Sequence, residues 1–294
     1  MFEIVEKEIL APNIILMKIL APKVTKNCKP GQFVILRIDE EGERIPLTIC
    51  DYDKEKGTVT IVFQTVGAST KKLESLQKGE KIHDFVGPLG NASELIENLE
   101  ETKNKKILFV AGGVGTAPVY PQVKYLYENG IKSDVIIGAK NKELVILEEE
   151  TKKVANELYV TTDDGSNGRK GLVTDVIKEL IDCGKHYDIC VAIGPLIMMK
   201  FVVKLTKELE IPTIVSLNPI MVDGTGMCGA CRVVVDDKVK FACIDGPEFD
   251  GYKVDFDNLI RRSRMYKDEE QRAILKIEEG QTHHGGCGFC GGDK

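Results

Sequence analysis

The 294-residue sequence has no apolar run approaching the ~18–20 residues that a membrane span requires. It also has no excess of positive charge: 40 Lys and Arg stand against 46 Asp and Glu, a formal net charge of −6. Without a broad basic field to collect phosphate backbones, nucleic acid is not expected as a partner. Residues Met1-Phe2-Glu3-Ile4-Val5-Glu6-Lys7-Glu8 lack the basic n-region and apolar core of a secretory signal, so a cytoplasmic chain is expected. There is no internal repeat. What remains is a globular composition, 43% hydrophobic and 29% charged, with a length suited to about two domains at ~150 residues each.

Nine cysteines stand out in such a chain. An odd number in a reducing compartment argues against a disulfide framework. Cys28, Cys50, Cys183 and Cys190 are scattered and read as small packing residues. Cys228, Cys231 and Cys243 cluster, and Cys287 and Cys290 form a second pair near the tail beside His283 and His284. Clustered thiols point to metal chemistry.

The pattern along the chain changes twice. Residues 1–97 read as short strands, among them Phe33 to Ile38, Ile45 to Cys50 and Thr58 to Gln64, separated by Gly, Pro and charged turns. That spacing suggests a small antiparallel barrel. Residues 98–218 alternate strand and helix. Strands are expected at Ile107–Ala111, Asp134–Ala139, Leu158–Thr161, Ile189–Ile193 and Pro212–Leu217. Helices are expected at Thr116–Glu128, Ile146–Asn156, Leu172–Asp182 and Leu196–Glu208. Such βα units build a parallel sheet with helices on both faces. Residues 219–294 are rich in glycine and cysteine, followed by a charged helix over Arg262 to Glu279 and a glycine-rich tail.

Gly112-Gly113-Val114-Gly115-Thr116-Ala117-Pro118 lies where a strand ends and a helix begins. Glycines there let a pyrophosphate approach the backbone, and the helix N-terminus supplies free N–H groups and partial positive charge. Pro118 replaces the last glycine of the usual G-x-G-x-x-G, and proline is tolerated in a first helical turn. Gly194-Pro195, backed by Met198 and Met199, and Thr161-Thr162-Asp163-Asp164-Gly165 end other strands at the same sheet edge. Together these loops line one crevice for a dinucleotide.

In this order the segments resemble the ferredoxin reductase superfamily of flavoproteins, in which a flavin-binding barrel precedes a nicotinamide-binding α/β domain. Gly87-Pro88-Leu89-Gly90 and Gly194-Pro195 match its pattern. Arg44-Ile45-Pro46-Leu47-Thr48 sits where the family carries Arg-x-aromatic-Ser/Thr: Thr48 and Leu47 align with the last two positions, and Arg44 falls one residue early. The resemblance implies FAD on Arg44, Pro46, Leu47 and Thr48, along the strand Val62, Phe63 and Gln64, and on Gly67, Ser69 and Thr70. A plain helix cap before Lys71 is the competing reading of that last element. NAD(H) is implied on Gly112, Gly113, Gly115, Thr116, Pro118, Gly194 and Pro195. Asp163 and Asp164 either orient ribose or nicotinamide or are solvated loop acids. Lys140 and Lys142 leave room for a 2′-phosphate.

Cys228-Gly229-Ala230-Cys231, with Cys243 twelve residues on, carries soft ligands for an iron–sulfur cluster or zinc. Plant-type 2Fe–2S sites use C-x4-C-x2-C and a distant fourth cysteine. Here Asp223 occupies the first position, giving D-x4-C-x2-C. The expected ligands are Asp223, Cys228, Cys231 and Cys243, with Cys287 or Cys290 as the alternative to Asp223, and zinc as the alternative to the cluster.

Barrel, nicotinamide domain and C-terminal cluster together resemble the electron-transfer subunits of dihydroorotate dehydrogenase, the gamma subunits of some hydrogenases, and the small subunits of NADH-dependent ferredoxin–NADP oxidoreductases. Asp at the first ligand position with Gly42-Glu43-Arg44-Ile45-Pro46-Leu47-Thr48 is the pattern of the last group. That resemblance implies a larger flavoprotein partner with further iron–sulfur clusters, through which ferredoxin and NADP(H) are handled in flavin-based bifurcation. It assigns NAD(H) to this chain. Hydride transfer between NAD(H) and flavin needs no general acid or base, and no catalytic side chain is nominated. A zinc-stabilised nucleotide-binding module without redox activity is the reading from another class.

Overall fold

The computed structural model describes residues 1–282. The N-terminal strands are β1 (Phe2–Ala11), β2 (Ile14–Leu20), β3 (Phe33–Arg37), β4 (Ile45–Asp53), β5 (Thr58–Gln64), β6 (Lys81–Ile82) and β7 (Asp84–Leu89). They pair antiparallel in the order β6-β1-β2-β5-β4-β3-β7. The two outermost strands are consecutive in the chain, joined through His83 alone, so the sheet curls until its edges meet as a nearly closed barrel. Helices α1 (Pro22–Thr25) and α2 (Ala68–Ser75) fill its connections.

β2 explains why alternation is weak in this region. Ile15, Met17 and Ile19 enter the barrel core with Val34, Leu36 and Ile61. The intervening Ile14 and Leu16 face outward, yet they are buried too, against Ala117 and Ile146 of the following domain with Cys50 and Val62. A strand buried on both faces reads as one continuous apolar run.

Short helices α3 (Glu94–Glu97) and α4 (Leu99–Thr102) lead into the second sheet. It contains β8 (Ile107–Gly112), β9 (Ser133–Ala139), β10 (Leu158–Thr162), β11 (Ile189–Ile193) and β12 (Thr213–Ser216), interleaved with α5 (Thr116–Glu128), α6 (Glu148–Val154), α7 (Val173–Asp182) and α8 (Leu196–Glu208). The order β10-β9-β8-β11-β12 is parallel throughout, with the winding direction reversing between β8 and β11. Along β8, Leu108 and Val110 pack under α7 and α8, whereas Phe109 and Ala111 pack under α5. Helices therefore cover both faces, as the alternation of strand and helix predicts.

The C-terminal segment forms a hairpin, β13 (Arg232–Val235) with β14 (Lys238–Phe241), then β15 (Glu248–Asp250), α9 (Phe256–Arg262) and α10 (Lys267–Thr282). β15 adds antiparallel to β12 as a sixth strand of the parallel sheet. Val233, Phe256 and Leu259 join the same core as α8. The helix expected over Arg262 to Glu279 is α10, which starts later, at Lys267, after a turn at 263–266 that separates it from α9. Phe256 and Leu259 hold α9 in the core, while α10 beyond the turn is mostly exposed. Among the described residues no helix is long and apolar enough to cross a membrane.

Of the scattered cysteines, Cys28, Cys50 and Cys190 are buried, and burial pushes the Cys28 and Cys190 thiols up to about 12. Cys183 departs from the packing reading: it caps α7 and is exposed. Cys287, Cys290, His283 and His284 lie outside the described residues.

Candidate functional site: a nucleotide cleft beside a cysteine loop

A cleft of about 1280 Å³ opens between the barrel and the edge of the second sheet. Ordinary small-molecule sites occupy ~300–1,000 Å³, so this one has room for more than a single mononucleotide. Its floor is the point where the sheet reverses direction, the place where open α/β sheets bind ligands.

Glycine is dictated at that floor by close approach. A Cβ on Gly115 would lie 2.2 Å from the Ile193 carbonyl oxygen, and one on Gly112 would lie 2.3 Å from Met198 Sδ. The ends of β8 and β11 touch here, so the helix N-termini of α5 and α8 face the same space. Pro118 stands in the first turn of α5.

Most of the expected residues line the cleft. From the barrel side come Pro46, Leu47, Thr48, Val62, Phe63, Gln64 and Thr70; from the sheet edge come Gly112, Gly113, Gly115, Pro118, Asp163, Gly194 and Pro195. Five others do something else. Thr116 is fully buried and donates its hydroxyl to the Gly113 carbonyl at 2.9 Å, shaping the turn. Asp164 accepts from the Ser166 amide at 2.9 Å and hydroxyl at 2.7 Å, and the hydroxyl bond holds its carboxyl below the usual range. Ser69 donates to Glu43. Gly67 caps α2, its N–H given to Thr70 Oγ1 at 3.0 Å. Arg44 donates from Nε to the Val222 carbonyl at 2.9 Å and from Nη2 to the Asp223 carbonyl at 3.2 Å.

Val66, which opens the second flavin element ahead of Gly67, lines the cleft as well, and so do residues that were not expected there: Phe33, Thr174, Lys178, Phe201 and the turn Leu217-Asn218-Pro219. The last lies just beyond the C-terminal end of β12, and Thr174 lies in the first turn of α7. The strand-end rule that picked out Gly112 and Gly194 applies to the turn after β12, whereas Thr174 follows a long loop after β10. Phe33 and Phe201 carried no such signal, because an apolar residue in a strand or helix is indistinguishable from core.

The cysteine loop lies directly against this cleft. Cys231 and Cys243 are buried, with their Sγ atoms 3.2 Å apart. They share an apolar cluster with Ala242, Ile35, Phe33 and Met221, and the last two also line the cleft. Burial and the Cys231 thiol push the Cys243 thiol up to about 11. Cys228 is exposed, and the N–H groups of Ala230 and Asp223 draw its thiol below the usual range. Asp223 is held low by the Thr225 hydroxyl, which its carboxylate accepts, with further help from the Thr225 amide at 3.1 Å and from Arg44. Among the described residues no three His, Cys, Asp or Glu side chains converge on a single-ion site. A 2Fe–2S cluster divides its four ligands between two irons, so the donor set suits it: a buried sulfur pair, a thiol favoured as thiolate, and an ionised carboxylate.

Two family descriptions match the chain. An iron–sulfur cluster binding domain of dihydroorotate dehydrogenase B matches residues 218–255, and an oxidoreductase NAD-binding domain matches residues 109–204. A Thermotoga maritima protein named as a homolog of the dihydroorotate dehydrogenase B (NAD(+)) electron transfer subunit is 48% identical over 269 residues, 92% of this chain and 93% of its own. The Fusobacterium nucleatum dihydroorotate dehydrogenase B (NAD(+)) electron transfer subunit is 38% identical over 232 residues, 76% of this chain and 86% of its own. A chain of the NADH-dependent reduced ferredoxin–NADP oxidoreductase, solved for insight into flavin-based electron bifurcation, superposes with a TM-score of 0.86 at 45% identity, covering 94% of this chain and 97% of that one. Cleft, cysteine loop and similarity over nearly the whole length agree: the chain belongs to the family of dihydroorotate dehydrogenase B-type electron transfer subunits.

Proposed function

We propose that the chain is a flavoprotein subunit that moves electrons between NAD(H), FAD and a 2Fe–2S cluster within a bifurcating NADH-dependent ferredoxin–NADP oxidoreductase. The observation that carries this reading is the shared wall: Phe33 and Met221 belong both to the cleft and to the apolar cluster around Cys231 and Cys243. A two-electron carrier in the cleft is thereby set beside a one-electron carrier in the loop.

A flavin, when bound, takes up two electrons together and gives them out singly, which suits it to stand between nicotinamide and cluster. The residues of the chain do the positioning. Pro46, Leu47 and Thr48 of β4 and Val62, Phe63 and Gln64 of β5 are assigned to the flavin, and the head of α2, where Thr70 lines the cleft and Gly67 and Ser69 shape the turn, to its diphosphate. Gly112, Gly113, Gly115, Thr116 and Pro118 present the N-terminus of α5 to NAD(H), with Gly194 and Pro195 opposite. Asp163 lines the same space and is suited to a ribose or amide. Asp223, Cys228, Cys231 and Cys243 would hold the cluster. The apolar wall between keeps water from the path.

The relatives are named as subunits, which supports a larger partner. We assign ferredoxin and NADP(H) to that partner, taken to be a second flavoprotein with its own clusters. The names of the relatives favour one second reading, an accessory subunit of dihydroorotate dehydrogenase. Co-purification from the native source separates the two by the partner recovered. The chain alone should reduce dyes with NADH yet show no ferredoxin–NADP chemistry. Full activity from the lone chain would contradict the need for a partner, and a colourless protein would favour the zinc module.

A further inference from the structure

Three arginines hold the ligand loop from outside. Arg44, just before β4, binds the carbonyls of Val222 and Asp223. Arg232, at the start of β13, donates from Nη1 to the Gly229 carbonyl at 3.1 Å. Arg262, at the end of α9, donates from Nη2 to the Ala230 carbonyl at 3.3 Å. The four accepting carbonyls belong to Asp223, the residue before it, and the two residues between Cys228 and Cys231.

The N–H groups of the same loop point the other way. Those of Ala230, Asp223 and Val222 are directed at the Cys228 thiol, and that of Gly226 at Cys243. Carbonyl dipoles thus turn out toward guanidinium and amide dipoles turn in toward sulfur.

Arg232 and Arg262 also face each other. Burial, and then this like charge, draws the Arg262 guanidinium below its ordinary range. The two line one groove of about 460 Å³ with Arg261, and no carboxylate lines it. Like charges held together cost free energy. The loop that the arginines grip carries Asp223, Cys228 and Cys231, all anionic when they ligate iron, and that negative charge offsets the cost.

We propose that Arg44, Arg232 and Arg262 are positioning residues that form a cage of fixed positive charge, turning the loop carbonyls outward and raising the reduction potential of the cluster on Asp223, Cys228, Cys231 and Cys243. The inference rests on the cluster reading above. Reduction adds one electron, supplied by NADH through the flavin, to a centre already negative, and it breaks no bond. Guanidinium stabilises that added charge without a proton changing place, because arginine stays protonated. The cage therefore makes the cluster a better acceptor from the flavin.

The test uses Arg232→Gln, Arg262→Gln, their double variant and Arg262→Lys, all purified without oxygen. FAD content reports folding, iron and sulfide report occupancy, and a dye-mediated titration followed by EPR gives the midpoint potential. Each Gln variant should titrate at a more negative potential than the parent, the double variant further still, and Arg262→Lys should shift less than Arg262→Gln. Loss of the cluster from the Gln variants with retention in Arg262→Lys also supports the cage. An unchanged potential in a cluster-replete double variant overturns it, as does an equal shift in Arg262→Lys and Arg262→Gln. A parent protein lacking iron and sulfide overturns the cluster reading instead.

Discussion

Cys231 Sγ lies 3.2 Å from Cys243 Sγ, although one opens the β13–β14 hairpin and the other follows it. The hairpin sets that distance, because Arg232 pairs with Phe241 and the two cysteines sit just outside the pair. Cys243→Ala should abolish iron–sulfide absorption and the EPR signal of the reduced protein while leaving FAD bound. Asp223→Ala tests the carboxylate: as a ligand its loss changes the EPR spectrum, and an unchanged spectrum removes it from the ligand set.

Gly115→Ala should be much worse than Gly112→Ala. The first drives a methyl into the Ile193 carbonyl, a backbone atom in the sheet; the second meets Met198 Sδ, on a side chain that can turn aside, and only then the Pro195 ring, with Cδ at 2.9 Å. We expect Gly115→Ala to cost about 3 kcal/mol, near the upper end of ordinary overpacking, and to weaken NADH binding. Thermal unfolding and NADH titration of the two variants check this order.

Asp134 tests the acid limb of stability. It is buried and accepts hydrogen bonds from Lys185 at 2.7 Å, Tyr187 at 2.8 Å and Asn156 at 2.8 Å. Burial works to raise its pKa, but these three bonds outweigh it and hold the carboxyl below the usual range. The stabilisation is therefore full above the unfolded value near ~3.9 and is lost as pH falls through the lower folded value. Asp134→Ala should cost roughly 2–3 kcal/mol at neutral pH, less than a fully buried pair because Lys185 stays partly exposed, and it should flatten the stability profile below pH ~4. Denaturant unfolding across that range measures both effects.

Glu248 predicts the opposite sign. It lies on β15, accepts from Gln122 Nε2 of α5 at 2.7 Å, and its second oxygen has no partner among the described residues. Burial holds its carboxyl above the usual range, against the pull of Ser93 and Gln122. Stability from this group is present below the unfolded value near ~4.3 and is lost as pH rises through the raised folded value. The neutral isostere Glu248→Gln should therefore stabilise the protein by roughly 1 kcal/mol at neutral pH and make little difference in acid. Melting temperatures at the two extremes decide it.

The second sheet was legible because each strand there is a short apolar block followed by a helical period, and Ile189–Ile193 and Leu196–Glu208 fall where the pattern puts them. The barrel was less so. Ile14–Leu20 is apolar on both sides because its outer face packs on Ala117 and Ile146, and period-two reading cannot see a neighbouring domain. The glycine turns and clustered cysteines were visible as residue types at spacings that few other structures need. Arg44 was visible as an arginine near the flavin element, but its hydrogen bonds to Val222 and Asp223, nearly 180 positions away, are long-range contacts that no local pattern encodes. Phe33 and Met221, shared by the cleft and the cysteine cluster, gave no local signal either, because an apolar residue reads as core.

The central claim is that electrons from NADH reach the cysteine loop through a flavin held in the adjoining cleft. Stoichiometric NADH added to the oxygen-free chain, followed by visible absorption and EPR, tests it directly. The account predicts bleaching of a flavin band together with the rise of a signal from a reduced 2Fe–2S cluster, the latter lost in Cys243→Ala. Bleaching of the flavin with no cluster signal at any NADH ratio, in protein replete with iron and sulfide, would contradict it.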